Sequence, residues 1–202
     1  MMTKKLLILV LVVMALMNCR ERIEPEADDF VEYGWTLYAE RDFRGALDVF
    51  QEGLALDSLY IDGYSGSGWC YIEFNEPDSA ILFFNRGLDF ITVDSSQVRF
   101  DMLAGIAVSF HAIGSYEDAI EKGTELYTFR PLFEFAHDWR IDYADIVLLV
   151  AQSHYALGEF AESLAWVQVL DEEFTADITT NAGRAELIDK IGDLQQILVT
   201  IE

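Results

Sequence analysis

Proline is scarce in this 202-residue chain, which contains only Pro25, Pro77 and Pro131. Because proline interrupts helices, its rarity leaves long stretches free to be helical. Basic residues are also few, with 13 lysines and arginines against 36 acidic residues and a net charge of −23. Such a chain repels phosphate backbones, so nucleic acid is not an expected partner. The charge predicts either a solvated outer surface or a basic partner.

The sequence also lacks the patterns that carry catalysis or bind cofactors. It contains no phosphate-binding loop, no dinucleotide-binding glycine pattern and no serine-nucleophile motif. The three histidines, His111, His137 and His154, do not have the close spacing of a metal site, and none pairs with a cysteine. We therefore expect no enzymatic activity, no cofactor and no metal.

Apolar residues are plentiful, at 52% of the chain, but the apolar run at residues 6–17 is too short to cross a bilayer, which takes about 20 residues. Two lysines precede this run, as in a secretory signal peptide. The run ends in Leu16-Met17-Asn18-Cys19, which resembles the lipobox of bacterial lipoproteins, although Asn18 stands where that family usually has Gly, Ala or Ser. The resemblance implies a signal peptide at residues 1–18 and a lipid anchor on Cys19. The alternative is an ordinary signal peptide cleaved nearby, with Cys19 incidental.

Cleavage before Cys19 would remove both leading lysines and leave 11 basic residues against 36 acidic ones, a charge of −25. Residues 19–26 are then a short exposed tether. If Cys19 carries the lipid, Cys70, the only other cysteine, has no partner, so we expect no disulfide within the chain and a small buried side chain at this position. Arg20 is not the aspartate that commonly retains lipoproteins in the inner membrane, which favours the outer membrane, facing the periplasm.

Two segments of the chain superpose without a gap at an offset of 34 residues. Gly34, Trp35, Ala46, Phe50 and Gly53 match Gly68, Trp69, Ala80, Phe84 and Gly87. The spacing and the residue types resemble the tetratricopeptide repeat, in which small and aromatic residues recur every 34 residues in a pair of helices. Weaker copies begin at Phe100 and Ala144, each after extra residues.

The resemblance implies an all-α, right-handed superhelix of antiparallel helix pairs, with about four repeats over residues 27–177. The alternative is a generic antiparallel bundle. Helices are predicted near 28–41, 43–56, 61–74, 77–90, 98–112, 116–128, 141–156 and 160–174. A C-terminal capping helix is predicted within residues 178–202. Its apolar face is formed by Leu187, Ile188, Ile191, Leu194, Leu198 and Ile201.

In the resembled family, the first helices of the pairs line a concave groove that binds a partner segment. Carried over by repeat position, the groove residues are Trp35, Tyr38, Trp69, Ile72, Val108, His111, Gln152, Tyr155, Asp28, Asp62, Asp101 and Asp145. The two tryptophans are predicted either to anchor a partner or to pack on each other or on the tether. Each aspartate also lies in the first turn of a helix, where a carboxylate is favoured by the free N–H groups, so helix capping is the competing explanation.

Six aromatic residues lie within seventeen positions before the fourth repeat: Tyr127, Phe129, Phe133, Phe135, Trp139 and Tyr143. We expect several of them to cover the joint between repeats three and four, with a second contact surface as the alternative. The sequence thus favours a lipid-anchored scaffold or adaptor that binds other envelope proteins. The alternatives are a cell-surface lipoprotein that captures a peptide or glycan, and a spacer with no binding groove.

Overall fold

A computed structural model describes residues 25–92 and 96–201, which form nine α-helices and one isolated β-bridge between Glu134 and Asp142. The predicted signal peptide and Cys19 lie outside the described residues. The helices are α1 (Ala27–Ala39), α2 (Phe43–Leu56), α3 (Ile61–Glu73), α4 (Pro77–Leu88), α5 (Gln97–Ala112), α6 (Tyr116–Phe129), α7 (Tyr143–Leu157), α8 (Phe160–Leu170) and α9 (Asn181–Ile201).

Helices α1 to α8 form four antiparallel hairpins that stack in chain order. Each helix packs on the next, and the first helices also contact one another, α1 with α3, α3 with α5 and α5 with α7. This arrangement places four helices side by side along one wall of a solenoid. The predicted all-α tetratricopeptide-like fold is confirmed, and the eight predicted helices agree with the observed ones to within a few residues at each end.

Local chemistry explains where the helices begin and end. Helix α1 starts with a capping box in which the Glu26 N–H donates to the Asp29 carboxylate at 2.8 Å. Helix α4 starts with Pro77, whose missing N–H is not needed in a first turn. Helix α7 ends at Gly158, whose φ of 80° is the left-handed conformation that terminates helices.

Aromatic rings between hairpins are held against glycines. Phe50 and Phe84 are fully buried at equivalent places in the first two repeats. A β-carbon at Gly34 or Gly66 would lie 2.6 or 2.3 Å from the Phe50 ring. The packing of paired helices therefore depends on residues that have no side chain at these positions.

Helix α9 closes the C-terminal end by packing on α7 and α8. Leu187 and Ile191 are buried there, whereas Ile188, placed on the same face from the sequence, is 39% exposed. The Gly183 N–H donates to the Thr180 hydroxyl at 3.0 Å, so Thr180 caps the helix start. Cys70 is buried in α3, as predicted. Across residues 25–92 and 96–201, no helix has the length and hydropathy of a membrane span.

Candidate partner-binding groove

The two tryptophans of the predicted groove lie at equivalent places on α1 and α3. Trp35 packs edge-on against Phe50 with ring centroids 4.9 Å apart, and Trp69 packs the same way on Phe84 at 5.8 Å. Trp35 is only 8% exposed and Trp69 only 1%. Both rings are therefore covered in this conformation by another part of the chain, and partner binding at them stays a prediction.

The cover is the connection between α6 and α7, residues 130–142, which we call the insert. Within it, residues 132–137 lie along the concave wall and are named the groove segment. Phe133 and Phe135 are buried and His137 is half-buried, whereas the alternate residues are exposed. This two-residue alternation is that of an extended strand with one face on a surface.

The rings of the groove segment stack on the two tryptophans. Phe135 lies on Trp69 with centroids 4.2 Å apart and an interplanar angle of 24°. His137 lies on Trp35 at 3.5 Å with the planes 1° from parallel. Both contacts place a ring of the insert, which joins the third hairpin to the fourth, against the first two repeats.

Side chains of α5 hold the backbone of the groove segment. The Gln97 side-chain amide donates to the Glu134 carbonyl at 3.1 Å and to the Asp101 carboxylate at 2.8 Å. The Asp101 carboxylate also accepts the backbone N–H of Ala136. These bonds satisfy main-chain groups that a β-sheet partner would otherwise pair, so the wall binds an extended chain through its backbone as well as its rings.

The four repeated aspartates do different things. Only Asp145 caps its own helix, accepting the Asp142 N–H at 2.9 Å. Asp28 accepts the Tyr60 hydroxyl, and Asp62 accepts the Trp35 indole N–H at 3.1 Å. Asp28 and Asp62 also lie in the first turns of their helices, as predicted, whereas Asp101 lies beyond the first turn of α5. Asp28, Asp62 and Asp101 in addition link separate elements along the wall.

The rest of the predicted groove is divided between covered and half-buried positions. Tyr38 is 2% exposed and directs its hydroxyl at Glu73. Gln152 and Tyr155 contact α9, at Gln195 and at the Arg184 carbonyl. His111 bonds the Ser153 hydroxyl at 2.8 Å, and Ile72 and Val108 are half-buried. The insert and the capping helix thus cover part of the predicted groove and leave Ile72, Val108 and His111 half-buried.

Burial shifts the titration of the acidic wall and of the groove segment. Burial first, and then the charge of Asp62, raise the pKa of Asp101 to about 7, although the hydrogen bonds from Gln97 and Ala136 and the charge of Arg130 act to lower it. Burial also raises the pKa of Asp62. It lowers the pKa of His137 to about 4, which keeps the ring neutral where it stacks on Trp35.

The six aromatic residues before the fourth repeat lie in different places. Phe135 contacts the first two repeats through Trp35 and Trp69, whereas Tyr127 contacts Trp166 across the joint between repeats three and four, with ring centroids 5.2 Å apart. Trp139 is 69% exposed and stands between two clefts of about 710 and about 420 Å³. Arg130 lines the larger cleft and Arg41 the smaller.

Sequence reasoning missed the groove segment, although a signal for it was present. Rings at Phe133, Phe135 and His137 alternate with period two, which is typical of an extended segment with one buried face. Among the described residues there is no group of three or more His, Cys, Asp or Glu side chains that could hold a metal ion.

Comparisons with known proteins extend the fold assignment. No protein-family model matches the sequence, and no curated protein is detectably similar to it. Among solved structures, the chain is similar to YrrB, described as a TPR protein with an unusual peptide-binding site, with a TM-score of 0.64 and 15% identity over 86% of this chain and 89% of that one. MamA matches with a TM-score of 0.58 and 14% identity over 83% and 75%. PilW, a type IV pilus biogenesis factor, matches at 0.58 and 19% over 74% and 63%.

Proposed function

We propose that this protein is a lipid-anchored scaffold of the bacterial cell envelope that binds a segment of a partner protein in its concave groove. One observation carries the proposal. The wall formed by α1, α3 and α5 already holds an extended backbone, through ring stacking on Trp35 and Trp69 and through hydrogen bonds from Gln97 and to Asp101. Chemistry that holds a chain segment within the molecule also suits one from outside it.

The fold supports a binding role rather than catalysis. A stack of hairpins presents one long curved wall, and YrrB, which shares this fold, is described as having a peptide-binding site. The apolar leader at residues 1–18 and Cys19 support anchoring by lipid. Arg20, directly after the cysteine, supports placement in the outer membrane, facing the periplasm.

Photo-crosslinking in cells tests the groove. A crosslinking residue placed at the half-buried Ile72 or His111 is expected to capture a defined partner protein. The same residue at Leu82, which is 63% exposed on α4, serves as the control and should give little or none. Equal capture at Leu82, or none at either groove position, would contradict groove binding.

Membrane fractionation tests the anchor. Replacing Cys19→Ser removes the thiol that would carry the lipid, so we expect the protein to move from the membrane to the soluble fraction. Cys70→Ser, at the other cysteine, is the control and should leave fractionation unchanged provided the variant folds. A Cys19→Ser variant that stays with the membrane would refute lipidation at this residue.

A second candidate function is capture of a peptide or glycan at the cell surface. Exposure of the Trp139 indole between two clefts favours it, because an exposed ring flanked by polar side chains suits stacking against a sugar or an aromatic residue. Protease added to intact cells separates the two candidates, since it should digest a surface protein and leave a periplasmic scaffold intact.

A further inference from the structure

The insert is longer than the joint between hairpins requires. Helices α2 and α3 are joined by residues 57–60, whereas α6 and α7 are joined by residues 130–142 and still pack directly on each other. The extra residues are therefore not needed to connect the hairpins. Instead the insert folds back on itself, with the Phe135 N–H donating to the Ile141 carbonyl at 2.9 Å, and lays the groove segment on the wall.

The fit of the groove segment is incomplete at the centre of the groove. The Trp69 indole lies beneath Phe135 and is 1% exposed, yet its N–H has no hydrogen-bond partner among the described residues. Leaving a buried donor unpaired is unfavourable, because the group has lost its hydrogen bond to water without gaining another. Trp35, one repeat away, satisfies the same atom through Asp62 at 3.1 Å. An external segment that made the same contacts as the groove segment and also presented an acceptor to the Trp69 N–H would bind this wall more favourably.

We infer that the groove segment is an internal stand-in for the partner, and that the partner supplies an extended segment with ring side chains at alternate positions and an acceptor for the Trp69 N–H. This inference rests on the proposed function. The alternation follows from the spacing of the sites that the rings occupy on Trp69 and Trp35. Gln97 and Asp101 pair with backbone groups, so they set the extended conformation without selecting a side chain.

The groove segment has a high effective concentration at the wall because it is part of the same chain. A partner therefore displaces it only when its contacts are better, and weakening the resident rings should open the groove. The apparent affinity for an added segment then rises as the fraction of open molecules rises.

A binding experiment with the full chain and a synthetic peptide tests the inference. The probe is a labelled peptide with the sequence of residues 131–138, and the opened protein carries Phe135→Ala with His137→Ala. We expect the probe to bind the opened protein at least about tenfold more tightly than the wild type, by fluorescence anisotropy. The control peptide has the same composition with Phe135 and Ala136 exchanged, and it should bind at least about tenfold more weakly than the probe.

Circular dichroism shows whether the double variant folds, and His137→Ala alone, which uncovers Trp35 without removing a fully buried ring, is the second variant. Equal binding of the probe to wild type and to a folded opened variant, equal binding of the two peptides, or no binding to the folded variants would each overturn the inference. Crosslinking at Ile72 is independent of these peptides. Partner capture there without peptide selectivity would reject the ring pattern and leave the scaffold function standing.

Discussion

Asp101 bonds the backbone of the groove segment and His137 is part of that segment, and the two groups titrate with opposite consequences for stability. The pKa of Asp101 is raised from 3.8 to about 7, so the folded state binds this proton more tightly and its contribution to stability falls as pH rises from about 4 to 7. The pKa of His137 is lowered from 6.5 to about 4, so the unfolded state binds that proton more tightly and stability is lost as pH falls from 6.5 to 4. The two contributions oppose each other over nearly the same range.

Single substitutions at Asp101 and His137 should separate their opposing contributions to the pH dependence of stability. Asp101→Asn keeps an acceptor for the Ala136 N–H and removes the titration, so this variant should lose more stability than the wild type on acidification from pH 7 to pH 4.5. His137→Gln should show the reverse, a gain on acidification relative to the wild type, and Asp62 contributes the same sign as Asp101 in both. Urea denaturation midpoints at the two pH values measure the effect. Midpoints that shift in parallel with the wild type would show that neither group titrates as described.

Packing between helices depends on rings fitted against glycines. Phe84 lies where β-carbons at Gly68 and Gly105 would be 2.4 and 2.3 Å away, so the ring fills space left by both the first helix of its own hairpin and that of the next. Phe50 has the same relation to Gly34 and Gly66. The packing of each hairpin therefore depends both on the buried phenylalanine and on the glycines that leave space for its ring.

Adding a methyl group at one of these glycines should force the paired helices apart. Gly68→Ala places a β-carbon against the fully buried Phe84 ring, and overpacking of this kind typically destabilises by about 1–3 kcal/mol. Gly192→Ala is the matched control, because nothing lies within 4 Å of its β-carbon and alanine favours the helix by up to about 1 kcal/mol. Thermal unfolding should rank Gly68→Ala below the wild type and Gly192→Ala at or above it. A Gly68→Ala variant as stable as the control would contradict the packing argument.

At the scale of the whole molecule, two elements, the insert and α9, cover different parts of the wall formed by the first helices of the hairpins. The insert covers the wall of the first two repeats, and α9 covers Gln152 and Tyr155 at the far end. Hairpins in such stacks contact only their neighbours, so an end without a cover exposes an apolar face. The C-terminal helix is therefore expected to stabilise the last hairpin more than the first.

Truncating the buried face of α9 tests this expectation. Ile191 is 2% exposed against the last hairpin, and Ile191→Ala should cost about 2–5 kcal/mol. Ile188→Ala, the same change three residues earlier at a side chain that is 39% exposed, should cost clearly less. Hydrogen exchange should show faster opening of α7 and α8 in Ile191→Ala, with α1 and α2 little changed. Uniform loss of protection along the chain would indicate a single cooperative unit instead.

The sequence by itself determined the hairpins, the 34-residue register of the first two and the packing of their small and aromatic residues, because these depend on residues close together in the chain. Gly34 and Phe50, or Gly68 and Phe84, meet within one hairpin, so their spacing already specifies the contact. Only the tertiary structure decided that the groove is filled. The contact of His137 with Trp35 joins the third connection to the first helix, and it depends on where the curvature of the whole stack brings a loop. Local spacing does not encode that curvature, and this is why Phe135, expected at the last joint, lies on the first two repeats.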